Sequence, residues 1–162
     1  MPTKVMALDP RKLLGLRIAR WSGYRRDGPE TELCDRVALL LPDLLLLAGI
    51  GEVVEVSREY PLPAGRVDFL CRLRNEHYAI VEVKRESLPQ QGDWRMSFAI
   101  GQLLVYAVGL SVQHDLPIES IHPVLISDGD LTWASVVIGA YKLPIHVCTL
   151  GREYAKVLHG QA

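Results

Sequence analysis

This chain of 162 residues lacks the marks of several common protein classes. Cysteine is scarce: Cys34, Cys71 and Cys148 are odd in number and far apart. That argues against the disulfide framework of a small secreted domain, and no pair has zinc-ligand spacing. Buried, reduced thiols of a cytoplasmic protein are the expectation that remains. The five histidines, His77, His114, His122, His146 and His159, form no metal-ligand pattern, and His77 is expected to be exposed in a turn. Charge of one sign is also lacking, because the formal net charge is −1. No overall basic pull toward nucleic acid follows from composition. The longest apolar stretch, Leu39 to Ile50, is broken by Pro42 and Asp43 and is too short to span a membrane. The opening residues carry no apolar run of the signal-peptide kind. There is no glycine-rich phosphate loop and no nucleophile elbow, which excludes a nucleotide-driven motor within this sequence.

What is present fits one ordinary domain, with 49% hydrophobic and 23% charged residues. Basic residues gather at one end. Lys4, Arg11, Lys12, Arg17, Arg20, Arg25 and Arg26 face the single acid Asp9, with Trp21 and Tyr24 among them. Residues 1–26 therefore read as a basic extension ahead of a domain at 27–162. Arg20, Arg25 and Arg26 are candidates for phosphate contacts, and the aromatics for stacking on bases. A solvated segment with an arginine-rich face would look the same.

The periodicities predict an α/β architecture. Met1 to Pro10 reads as flexible, and Leu13 to Arg20 as a strand or short helix. After the break Asp27-Gly28-Pro29, a helix is expected from Thr31 to Leu41, striped by Leu33, Val37, Leu40 and Leu41. Pro42 should end it, with Leu44 to Leu47 as a second helical piece, either fully buried or part of a homodimer surface. Strands follow at Glu52 to Tyr60, Val67 to Leu73 and Tyr78 to Val83, with Pro61 to Gly65 as a turn. Pro89 to Asp93 suggests an inserted loop, and Ser97 to Gly109 a helix. A strand at Pro123 to Ser127, a helix at Leu131 to Tyr141, a strand at Ile145 to Leu150 and a terminal helix at Gly151 to His159 complete a mixed central sheet flanked by helices.

Two acids and an amine stand out in this frame. Arg74 to His77 reads as a tight turn, and centring it near Asn75 makes positions that sum to 150 face each other. Asp68 then opposes Glu82, about 4.5–5.5 Å apart at Cβ. Lys84 shares the face of Glu82, because strand side chains repeat every two residues. Adjacent carboxylates repel, and a divalent cation relieves the repulsion. Mg²⁺ or Mn²⁺ prefers oxygen ligands, which Asp68, Glu82 and the Val83 carbonyl could supply. Such a site could activate water against a phosphodiester, with Lys84 orienting the water or neutralising developing charge. A half-buried hairpin with one cross-strand ion pair is the other reading of the same residues.

Asp68, followed by Glu82-Val83-Lys84 after an apolar lead-in, resembles the core of the PD-(D/E)xK phosphodiesterase superfamily. Gln102 and Tyr106 resemble the QxxxY motif of the branch that includes recombination helicase-nuclease domains and the mismatch endonuclease. Their spacing of four puts them on one helical face. The resemblance runs from Glu32 to Tyr106 and departs from the pattern at Val67, where the superfamily's name has proline. It implies a restriction-endonuclease-like fold with an αβββαβ core and a Mg²⁺- or Mn²⁺-dependent nuclease acting on DNA. Asp68, Glu82, Lys84, Gln102 and Tyr106 would be catalytic, and Glu32, Asp68, Glu82 and Val83 the metal ligands. Glu30 and Glu59 compete with Glu32 for the upstream acidic role. Arg66 and Arg85 flank the site and are further candidates for holding phosphate, although both could equally be solvent-facing. A subunit on the same fold that binds or assembles without cutting is the alternative.

Overall fold

The leucine ladder that follows Glu30 sets the first layer. A computed structural model describes residues 5–7, 30–84, 94–127 and 132–149. Helix α1, Glu30–Leu47, buries Leu33, Val37, Leu40, Leu41, Leu44 and Leu45 completely, a stripe built on spacings of three and four along one face. It runs straight through Pro42, so the expected break there is corrected. The missing N–H and the ring clash cost about 3 kcal/mol in a helix interior. Pro42 lies on the exposed side, where water can reach the backbone it disrupts. Six buried side chains, each contributing about 1.5–3 kcal/mol, outweigh that cost. The Leu44 to Leu47 segment divides: Leu44 and Leu45 are core, while Leu46 and Leu47 face outward.

Six strands form one mixed sheet in the order β1-β6-β5-β4-β3-β2. They are β1 (Val5–Ala7), β2 (Val53–Leu62), β3 (Gly65–Leu73), β4 (Tyr78–Lys84), β5 (Ile121–Ser127) and β6 (His146–Thr149). Strands β2, β3 and β4 are antiparallel neighbours, and β4, β5, β6 and β1 are parallel. Helix α2, Trp94–His114, and helix α3, Thr132–Ala140, make the two crossovers β4-α2-β5 and β5-α3-β6. Both crossovers advance in the same direction, so right-handed connections place both helices on one face. That face is the core of Leu62, Val67, Leu70, Ile80, Leu103, Leu110, Leu125, Ile138 and Val147. The opposite face packs Phe69, Cys71, Leu73, Val81, Val83 and Ile126 under α1.

Three other expectations change. Strand β1 falls in the opening segment read as flexible; three residues are too few to show alternation, and pairing Met6 with Cys148 on β6 holds them. Strand β2 continues through Pro61 and Leu62, which pair with Arg66 and Gly65, so the turn shrinks to Pro63 and Ala64. Proline is tolerated because β2 is an edge strand with one side unpaired. Helix α2 passes Gly109, where a Cβ would lie 3.4 Å from Pro63 Cδ, an ordinary contact distance. The readings for Leu13 to Arg20, Pro89 to Asp93 and Gly151 to His159 lie outside the described residues, as does the basic extension apart from β1. Among the described residues no helix is long and apolar enough to cross a membrane.

At the N-terminal ends of the parallel strands, three histidines gather beneath the α1 face. His77 Nδ1 and His122 Nε2 are 2.8 Å apart, their rings stack at 5.1 Å, and His146 lies 5.9 Å from His122. The expectation that His77 is exposed is therefore corrected: it is half-buried against a partner ring. Burial, then the neighbouring charges of His146 and His77, hold His122 down at about 4. The folded state thus binds fewer protons than the unfolded chain between pH 4 and 6.5, and its stability rises with pH across that window. We expect acidification from pH 7 to about pH 4.5 to cost about 1–2 kcal/mol through this group, reduced from the full shift because the ring is partly solvated. Urea unfolding at both pH values, on native protein and His122→Leu, checks it. An identical pH slope in the variant would contradict the assignment.

Candidate active site

The turn between β3 and β4 fixes the register on which the site depends. Asn75 Oδ1 accepts the His77 N–H at 3.0 Å, Leu73 N–H donates to the His77 carbonyl, and Glu76 takes a left-handed φ of 65°. The strands then pair Arg72 with Tyr78, Cys71 with Ala79, Leu70 with Ile80 and Phe69 with Val81. Every pair sums to 150, as the sequence predicts.

At the next step the ladder stops and side chains replace it. The Asp68 N–H donates to Glu82 Oε1 at 3.1 Å, and the Val83 N–H donates to Asp68 Oδ2 at 2.8 Å. Beyond this point β3 continues alongside β2 (Val67 with Tyr60) and β4 alongside β5 (Glu82 with Leu125). The sheet forks here, and the two carboxylates fill the crotch. The inside-outside alternation of β3 also slips at Asp68, since Val67 packs under α2 whereas Phe69 packs under α1. Glu59, on the neighbouring strand, has a φ of 52°, a conformation uncommon for a residue with a Cβ. A local twist therefore accompanies the fork.

The electrostatics of the fork are tense. Glu82 is 4% exposed. Lys84 Nζ lies 3.9 Å from Glu82 Oε2, close enough to balance one charge of the pair. Burial raises the Asp68 carboxyl above its ordinary range, opposed by the Val83 N–H, the charge of Lys84, the bond with Glu82 and the charge of Arg58. Burial, then Glu82 and Asp68, also raise the Tyr106 hydroxyl. That shift puts Tyr106 within the field of both acids. Gln102 Nε2 donates to Tyr106 OH at 3.4 Å, so the amide is directed at the tyrosine. Gly65 makes room for this hydroxyl: its φ is 147°, and a Cβ there would lie 2.9 Å from Tyr106 OH.

The remaining sequence candidates are placed as follows. Arg66 is exposed on β3 beside Pro61. Glu59 is exposed on β2. Glu30 and Glu32 occupy the first turn of α1. The next turn carries Asp35, which accepts from Arg58 at 2.7 Å, and Arg58 pairs with Phe69 beside the fork. The start of α1 is thus tied to the forked end of the sheet. Arg20, Arg25, Arg26 and Arg85 lie outside the described residues. The fork itself is not foreseen from the sequence, because nothing there says that the ladder ends at the Phe69–Val81 pair.

This donor set suits a hard divalent cation. One oxygen of each carboxylate receives a backbone N–H, which fixes the head groups side by side at the mouth of the fork. Among the described residues no group of three or more metal-ligating side chains converges. Two carboxylates are enough for Mg²⁺, which keeps several waters and completes its shell with substrate phosphate oxygens. A bound cation would supply Lewis acidity and lower the pKa of a water. Asp68 and Glu82 would hold it, and Lys84 would stand beside the attacking water.

No protein-family model matches the chain, and no curated protein matches by sequence. Solved structures do match. One is a repair endonuclease from Pyrococcus abyssi, with TM-score 0.54 and 18% identity over 77% of this chain and 49% of that one. Another is EndoMS in complex with dsDNA, with TM-score 0.50 and 15% identity over 79% of this chain and 48% of that one. This chain spans about half the length of each. At such identities the likeness establishes the fold: an α/β mixed sheet flanked by helices, of the kind found in these nucleases.

Proposed function

We propose that the protein is a divalent-metal-dependent nuclease that hydrolyses DNA phosphodiester bonds, in repair, recombination or defence. One observation carries this reading: the fork, where Asp68 and Glu82 give up ladder pairing to hold a half-buried and a buried carboxylate beside Lys84. Adjacent acids repel, and a bound cation would relieve that repulsion where two backbone N–H bonds and one lysine only offset it. The fold shared with a repair endonuclease and a DNA-bound EndoMS supports the same conclusion.

In this reading Asp68 and Glu82, with Glu32 and the Val83 carbonyl, hold Mg²⁺ or Mn²⁺. Lys84 guides the water and offsets charge on the scissile phosphate. Gln102 and Tyr106 form the QxxxY pair and steady the substrate backbone beside the acids. Arg66, Arg85 and the basic segment with Arg20, Arg25 and Arg26 contact phosphates. The buried thiols of Cys71 and Cys148, both pushed up to about 12 by burial, are unreactive and suit a cytoplasmic protein.

The test is a cleavage screen on linear, circular, branched and mismatched DNA with Mg²⁺ or Mn²⁺. Cutting is expected on at least one substrate and should vanish with EDTA. Undiminished cutting in EDTA, or none on any substrate with either metal, would refute the assignment.

A further inference from the structure

Among the described residues, three arginines along the ribbon of β2 and β3 pair with acids, and one pair differs from the others. Arg74 grips Glu52 through two bonds, at 2.7 and 3.0 Å, and Arg72 turns two N–H groups to one oxygen of Glu55, at 3.3 and 3.4 Å. Both lie toward the Asn75 turn, at the end of β3 away from the fork. Arg58 stands at the fork instead, opposite Phe69 and one residue from Asp68. Its acid belongs to α1: Nη1 donates to Asp35 Oδ1 at 2.7 Å. Its guanidinium carbon lies 5.7 Å from the centroid of the Phe69 ring. A carboxylate and an aromatic face thus hold the planar group in place. The side chain is still 43% exposed, so water and solutes reach it.

The faces of the sheet give this placement its meaning. Phe69 packs under α1, so Arg58, directly opposite, is on the α1 face. Val83 also packs under α1, so Lys84, the next residue, is on the α2 face. The two acids therefore lie between two cations on opposite faces, and the charges of both reach Asp68. As a tie between α1 and the sheet, the Arg58 pair contributes little. Asp35 is 64% exposed, and solvent screens an ion pair at that exposure. An oriented guanidinium is, however, well suited to phosphate, because its parallel N–H groups match two phosphate oxygens. Asp35 and Glu59 add negative charge around Arg58. Removing the guanidinium would therefore leave a face that repels DNA.

We propose that Arg58 holds a backbone phosphate of the DNA strand on the α1 face of the fork, a neighbour of the phosphate that Lys84 attends on the α2 face. This rests on the nuclease reading of the fork and adds the course of the strand, which crosses the end of the sheet from one face to the other. Arg66 lies further out on the same ribbon and also on the α1 face, since Val67 beside it packs under α2. It extends the same path.

Fluorescence anisotropy in EDTA tests this without cutting, with the full chain and a labelled DNA duplex that carries single-stranded arms. Between about 50 and about 200 mM salt, Arg58→Gln should lower the slope of log K against log salt by about 0.7–0.9, the loss of one phosphate contact. Arg58→Lys should restore the slope but only part of the affinity, because an ammonium cannot bind phosphate bidentately. Arg74→Gln removes the same charge at the turn end and should leave the slope unchanged. The melting temperature of Arg58→Gln should fall by no more than about 4 °C, which separates lost contact from lost fold. An unchanged slope in Arg58→Gln, an equal loss in Arg74→Gln, or a native chain that holds no DNA would overturn the proposal. The nuclease assignment stands or falls separately, on metal-dependent cutting.

Discussion

Asp68→Asn is expected to lower cleavage at least about 10³-fold while leaving the melting temperature at pH 7 unchanged or raised. The two effects have opposite signs for one reason. Burial raises the Asp68 carboxyl above its ordinary range, so the folded protein holds this proton more tightly than the unfolded chain. A carboxylate with a raised folded pKa opposes folding once the pH exceeds its unfolded pKa. The neutral amide removes that burden, and its oxygen can still accept the Val83 N–H that Oδ2 accepts at 2.8 Å. It is, however, a poor ligand for a hard cation, so the chemistry fails. Parallel measurement of activity and thermal unfolding distinguishes this from ordinary misfolding. Added Mn²⁺ should raise the melting temperature of native protein, by stabilising the state that binds it, and should leave the variant unmoved. A variant that keeps its activity, or loses several degrees of stability, would show that Asp68 serves the fold alone.

Lys84→Ala is expected to reduce kcat by about 10²–10³-fold, the usual cost of removing one stabilising group from a transition state, with KM and the Mn²⁺ shift retained. Lys84 Nζ is 3.9 Å from Glu82 Oε2, longer than a hydrogen bond. It thus balances charge near the acids. If its role were only to balance Glu82, removing it would weaken the hold on the protein's own carboxylates and lower stability with little change in kcat. Single-turnover kinetics at saturating metal separate the two. Full kcat in the variant would remove Lys84 from the mechanism.

The parts of this fold set by local chemistry are legible in the sequence. The register of β3 on β4 follows from Asn75 and the turn it organises, and it places Asp68 opposite Glu82. The Gln102 and Tyr106 pair follows from helical spacing alone. Other features depend on partners far along the chain. Pro42 reads as a stop because local propensity disfavours it, yet the buried stripe of α1 overrides that preference. Val5 to Ala7 carries no pattern of its own and becomes a strand because β6 offers an edge. The contact of His77 with His122 spans 45 positions, beyond any periodic signal. The fork also escapes prediction, since no spacing rule says where a ladder will end.

The two acids lie 14 positions apart in the sequence, within a single hairpin. The strand that flanks Glu82 on its other side joins through pairs such as Tyr78 with Ile121, 43 positions apart (121 − 78). Closing the longer loop costs about 1 kcal/mol more in chain entropy than closing the shorter one. The two acids therefore meet through a contact that is cheaper to close than the crossover beside it, so their juxtaposition rests on a single hairpin and not on the parallel half of the sheet.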